Sequence, residues 1–206
     1  GGGIRLFGSG HVRDSVIAYN RANYGGGVNA EGSSGVVERC EIYNNFATNN
    51  GGGVELNGKN RAVDCAVSNN TALFGGGFYL SGEPFVNRCR IIKNTGSSYG
   101  GAAYVNVGSR IYNSLIAGNS SFRGGGFFCW YGGEFINCTV VSNSASSDGG
   151  GGWNDHGGRY TNCIVYFNTA PKSPNYTNTT AAAVSFTRVC SFPLPPGSGN
   201  FTNQPQ

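Results

Sequence analysis

Three sets of residues carry side chains able to do chemistry. Tyr79, Tyr104 and Phe128 recur at intervals of 25 and 24 residues, with Trp130 and Tyr131 close behind. A row of flat rings can stack on sugars, but rings in such a row also stabilise a sheet by packing on one another, and the sparse polar flanks favour that second role. Trp153, Asn154, Asp155 and His156, followed by Arg159, set a carboxylate beside an imidazole, which would suggest a site if the pair were buried. Against catalysis, most acidic residues are spread one per repeat, whereas glycoside hydrolysis needs two carboxyls about 5–9.5 Å apart. The third set is Cys40, Cys65, Cys89, Cys138 and Cys163, with Cys190 beyond them. There is no Cys-x-x-Cys, and His11 and His156 stand far apart, so no zinc site and no cofactor is expected.

The intervals among these residues belong to a repeat of about 25 residues. Glycine triplets start at Gly1, Gly25, Gly51, Gly75, Gly124 and Gly150, with Gly-Gly-Ala at Gly100. A small residue recurs at Ser15, Cys40, Cys65, Cys89, Ser114, Cys138 and Cys163. Two places later stand Ile17, Ile42, Val67, Ile91, Ile116, Val140 and Val165. Five places later stand Asn20, Asn45, Asn70, Asn94, Asn119, Asn143 and Asn168. The residue after each triplet and the one two further on are mostly apolar, the period-2 mark of a strand with one buried face.

Each repeat thus reads as strand, turn, strand, turn, and a unit so small must stack on its neighbours to bury its apolar face. The expected fold is all-β: a single-stranded parallel β-helix of about seven coils over residues 1–170, with an irregular tail over 171–206. Six steps at strand spacing give a rod ~29 Å tall. The asparagines form a structural ladder at one corner, satisfying backbone groups and pairing amide to amide between coils. The column Asp14, Arg39, Asp64, Arg88, Asn113, Asn137 and Asn162 alternates charge between neighbouring coils at first, which favours the one-coil register.

Stacked coils also bring the cysteines within disulfide range, since a step of ~4.8 Å falls inside the usual Cα separation. Cys40–Cys65 or Cys65–Cys89, and Cys138–Cys163, are candidate pairs, with Cys190 a further partner for Cys163. The alternative is a column of buried thiols acting as small apolar fillers, supported by Ser15 and Ser114 in the same column. Among six Asn-x-Ser/Thr sequons, Asn69, Asn119, Asn175 and Asn178 are the expected accessible glycosylation positions.

Units such as Cys40 to Ala47 followed by Gly51 to Val54, and Cys65 to Ala72 followed by Gly75 to Phe78, resemble the right-handed parallel β-helix repeats of bacterial surface proteins. The nearest patterns are the polymorphic outer-membrane protein repeats and the secreted β-helix proteins of planctomycete-like bacteria. The resemblance covers roughly residues 1–170 and implies an extracellular or cell-surface setting. It leaves adhesive, structural and carbohydrate-active roles open.

Composition removes other classes. Glycine supplies 36 of 206 residues, too few and too irregular for collagen, and 26 aromatic residues argue against disorder. A net charge of +4 with scattered basic residues gives no nucleic-acid footprint, and no apolar run spans a bilayer. The glycine triplets open strands, not helices, so they are not phosphate cradles. The chain contains no methionine and is read as a processed chain or a piece of a longer one. The segment from Ala181 to Cys190 is β-prone and is expected to pack along the outside of the rod, where Val16, Ala18, Leu115, Ala117, Thr139, Val141, Ile164 and Tyr166 form an unusually apolar face. With Gly1 to Leu6 entering in mid-pattern and no cap before them, copies are expected to stack head to tail, each tail completing or clamping the next copy's first coil. The functional expectation is an extracellular structural or adhesive rod, self-assembling or bound to surface glycans, with a carbohydrate-binding or carbohydrate-cleaving β-helix resembling pectate lyases as the alternative.

Overall fold

The computed structural model describes residues 1–179, 183–203 and 205. Each regular coil adds one strand to each of four parallel sheets, where the repeat had suggested two strands per coil. In the third coil Val54–Asn57 lies in sheet A, Arg61–Val63 in B, Ala66–Ser68 in C and Thr71–Phe74 in D. Sheets A, B and C have eight strands and D has six. The register is one coil throughout: Ile91 pairs with Val67 on one side and Ile116 on the other.

The extra strands are hidden in the sequence because two corners of every coil consist of one left-handed residue. Asp64 (φ 55°) turns the chain from B to C and Asn69 (φ 53°) from C to D. A single such residue bends the strand without disturbing the inward-outward alternation by more than one place, so pattern alone reads straight through it. The first of these corners is the column of alternating charge. Arg39 and Arg88 grip Asp14 and Asp64 with two hydrogen bonds each, at 2.7–2.8 Å. These pairs are exposed and screened by solvent, so they matter less for stability than for holding two arginines in a conformation that non-glycine residues rarely adopt.

The interior is a stack of like upon like. Ile17, Ile42, Val67, Ile91, Ile116, Val140 and Val165 are buried in one column. At the C-to-D corner, the Oδ1 of each ladder asparagine accepts two hydrogen bonds from the asparagine one coil earlier, one from its backbone N–H and one from its Nδ2. This runs unbroken from Asn20 to Asn168.

Two expectations need correction. The tail does not lie along the outside. Tyr176–Asn178, Ala183–Thr187 and Cys190–Ser191 form an eighth coil in sheets A, B and C. Its anchor is Asn175, which becomes the next rung of the asparagine ladder, while Phe186 stacks under Tyr160 at 5.0 Å. Thr180, Ala181 and Ala182 lie outside the described residues. The chain then folds across the end of sheet C: Asn200 Oδ1 accepts from the Val189 backbone, and Phe201 bridges to Cys190.

The second correction concerns the last glycine run. The corner glycine is Gly149 (φ 65°), and Gly152 takes the inward place expected for Trp153. A Cβ at Gly152 would sit 2.1 Å from Phe127 Cζ, so the large ring one coil below requires glycine above it. Trp153 therefore stands outward and Asn154 is buried inward, with Asp155 partly exposed on the surface.

Candidate functional site

The aromatic row and the polar residues around it occupy the concave bend where sheet D meets sheet A. The rings of Tyr79 and Tyr104 stack at 5.1 Å and 13°, and Tyr104 and Phe128 at 5.2 Å and 24°. Their faces are thus spent on one another. Tyr99 covers Phe128 from sheet D at 4.5 Å, Trp153 flanks it, and Phe128 is only 2% exposed. The guanidinium of Arg123 lies 4.4 Å over Trp153. At Tyr79, Tyr104 and Phe128 the row fills the bend as an outer core of stacked rings and does not form an open strip.

Glu55 continues this filled bend toward the first coils and is 4% exposed, with Oε2 unpartnered. Burial holds its carboxyl above the ordinary range, only partly offset by hydrogen bonds from Asn57 and Asn50. A group raised in the folded state favours folding below its unfolded pKa and loses that contribution as pH rises. Glu55→Gln is therefore expected to raise the unfolding temperature at pH 7.5 and to match the parent at pH 4. Thermal unfolding at the two pH values checks this.

All seven cysteines are free and buried, so none of the candidate disulfides is formed. Their thiols sit against backbone carbonyls, as Cys65 with Val63 and Cys138 with Ile111. Burial pushes the Cys129 thiol up to about 12. Cys190 stands one place out of the column, opposite Ile164, and bonds to the Asn203 carbonyl, away from Cys163. Of the sequon asparagines, Asn119 and Asn175 are buried ladder rungs with their amides engaged, which removes them as accessible acceptors. Asn69 is an exposed corner and Asn178 is exposed, accepting a hydrogen bond from Asn154.

The open surface chemistry lies on the outer face of sheet B and the A-to-B turns beside it. Three depressions follow one another along this face. One of about 290 Å³ is bounded by His11, Arg61 and Phe85. The next, of about 450 Å³, is bounded by Ser109, Arg110, Tyr131, Glu134 and Arg159. The third, of about 290 Å³, lies beyond Tyr131 and reaches His156 and Ser185. Tyr131 stands between the last two with 53% of its surface exposed, its ring stacked on His156 at 4.5 Å and met edge-on by Trp130. Trp130 is thus a member of this platform as well as a neighbour of Phe128.

Polar groups converge on the same face. Tyr112 donates to Glu134, and burial together with that bond pushes its phenol up to about 12. Arg159 reaches Glu134 at 3.8 Å. Behind this face the Oγ of Ser109 is buried and has no hydrogen-bond partner. Asp155 lies 2.9 Å from His156 Nδ1, which also approaches the Trp130 carbonyl at 3.2 Å. These contacts orient the imidazole as a support for Tyr131 on an exposed surface, unlike the buried acid-base pair considered from sequence. Among the described residues no three His, Cys, Asp or Glu side chains cluster as metal ligands. Among the described residues no helix is long and apolar enough to cross a membrane.

Sequence reasoning picked out Trp130, Tyr131, His156 and Arg159 here but missed Arg61, Phe85, Arg110 and Glu134. The signal was available: these residues stand four places before successive small landmarks, at Cys65, Cys89, Ser114 and Cys138. A family model described as a right handed beta helix region matches residues 2–170. Comparisons with curated proteins and with solved structures return no match.

Proposed function

The chain belongs to the right-handed β-helix family, and on that scaffold we propose an extracellular adhesive rod that binds a glycan along the outer face of sheet B without cleaving it. The observation that carries this is Tyr131, an exposed ring held between two depressions, with Arg159 bordering both. Carbohydrate sites combine an aromatic face for the ring with a few fixed polar groups for the hydroxyls, and Glu134, held by the Tyr112 hydroxyl, supplies one of the latter. The family includes both enzymes and non-enzymes. Binding is preferred because the only carboxylate next to an imidazole, Asp155, is committed to holding that imidazole under Tyr131.

Head-to-tail stacking, the other route to an adhesive filament, would require the tail to clamp a second copy. The tail is used within the chain, closing the eighth coil and crossing the end of sheet C. The adhesive role is accordingly placed on the side of the rod. Affinity electrophoresis through gels containing linear glycans tests it. Tyr131→Ala is expected to weaken retardation about two- to tenfold, in line with an aromatic contribution of ~0.5–1.5 kcal/mol. Leu115→Ser, on sheet C, is expected to leave it unchanged. Equal retardation of the parent and Tyr131→Ala on every glycan tried would contradict the proposal.

A further inference from the structure

We propose that the ligand of sheet B is a linear glycan that carries its anionic group on alternate sugars. This rests on the reading of that face as a glycan surface. The register sets Arg61, Phe85, Arg110, Glu134 and Arg159 in one column, each directly opposite the next. Guanidinium groups therefore recur at every second coil, ~9.6 Å apart at strand spacing. An extended β-linked sugar advances by close to one coil, so the arginine period matches a disaccharide.

The intervening rungs reinforce the alternation. Phe85 offers an apolar surface, half-buried against the ring of Tyr112 at 5.2 Å. Glu134 is an acceptor fixed by the Tyr112 hydroxyl, suited to sugar hydroxyls and repulsive to a second carboxylate. Among the described residues, neither Arg61 nor Arg110 has an acidic partner within ion-pair distance, while Arg159 keeps only the 3.8 Å contact with Glu134. The other nearby charges are already matched: Lys59 with Glu83, and Glu38 with Arg39. Arginine grips carboxylate or sulfate through two parallel hydrogen bonds, so the free guanidiniums select an anion at their own rungs.

Titration calorimetry on the intact chain with three hexasaccharides separates the possibilities. The probes are one with a uronic acid on alternate sugars (uronic acid and N-acetylhexosamine), one of galacturonic acid throughout, and a neutral β-linked glucose oligomer. The alternating oligomer is expected to bind at least tenfold more tightly than either of the others, with affinity falling as salt rises. Arg110→Gln, an exposed change whose folding is verified by its unfolding temperature, is expected to cost about tenfold on the alternating oligomer and no more than about twofold on the neutral one, where only an uncharged contact is lost. Equal binding of the neutral oligomer would overturn the alternating-charge proposal while leaving the glycan reading standing. Equal or tighter binding of the fully charged oligomer would overturn it in the same way. Absence of binding by all three would overturn both.

Discussion

Replacing Asn94 by alanine is expected to cost about 4 kcal/mol or more, a large part of the stability of a domain this size. Asn94 is fully buried and uses its whole side-chain capacity. Its Oδ1 accepts from the backbone N–H and the Nδ2 of Asn70, and its Nδ2 donates to the Val67 carbonyl and to Asn119 Oδ1. Alanine removes four hydrogen bonds of ~1 kcal/mol and strands groups on two adjacent coils without access to water. Aspartate has the same shape but replaces the donor by an acceptor facing two other acceptors. Its burial would raise the carboxyl pKa above the unfolded value, so the penalty is largest at neutral pH and shrinks below about pH 4, where the protonated acid can donate once. Denaturant unfolding should place Asn94→Asp below Asn94→Ala at pH 7 and nearer to it at pH 4. Asn69→Gly, at the exposed left-handed corner next to the ladder, should be close to neutral. Equal effects of Asn94→Ala and Asn69→Gly would show that the ladder is not what holds the coils together.

The second large effect falls on the glycine corner between sheets D and A. At Gly76 an added Cβ would lie 2.4 Å from the Thr95 carbonyl oxygen and 2.6 Å from that of Gly101, both backbone atoms of the next coil. No side chain can rotate away, so Gly76→Ala must push two coils apart and is expected to cost about 3 kcal/mol or more. The third position of the triplet is less strict, because Ala102 already occupies it, fully buried, one coil further on. A Cβ at Gly77 would meet one backbone atom, the Ala102 carbonyl oxygen at 2.6 Å, and otherwise the side chains of Ile91 and Asn94, so Gly77→Ala is expected to cost about 1–2 kcal/mol. Comparing the two variants by thermal unfolding tests the argument: if both behave alike, close backbone approach is not the reason for the glycine.

These two columns, asparagine and glycine, are the parts of the fold most legible in the sequence. Each is repeated at a fixed interval because each makes contacts with its own copies one coil away. What remained hidden lacks either a constant residue type or that interval. The left-handed corners are filled by Asp, Arg, Asn, Lys, Ser, Tyr and Phe in different coils, so no residue type marks them and four strands read as two. The eighth coil was missed because Asn175 follows Asn168 after seven residues, where earlier rungs are 24 or 25 apart. The chain reaches the next rung without an intervening coil, and a search by period loses it there.

The candidate site divides in the same way. The aromatic residues were visible, but whether a ring offers its face or spends it on a neighbour depends on curvature. Phe128 and Tyr104 lie in a concave bend and are consumed, while Tyr131 lies on a convex turn and is offered. The arginines of sheet B share a column that is regular in the sequence. Their meaning appears only once Phe85 and Glu134 are known to stand between them on one open face.

The most direct test of the account is an amide NMR titration of the 15N-labelled chain with the alternating uronic acid oligosaccharide. The account predicts shifts concentrated in Arg61–Val63, Phe85–Asn87, Arg110–Tyr112 and Glu134–Ile136 of sheet B and in the neighbouring turns around Ser109, Tyr131 and His156. Shifts centred on sheet C or on the filled bend between sheets D and A, or no shifts at all, would contradict it.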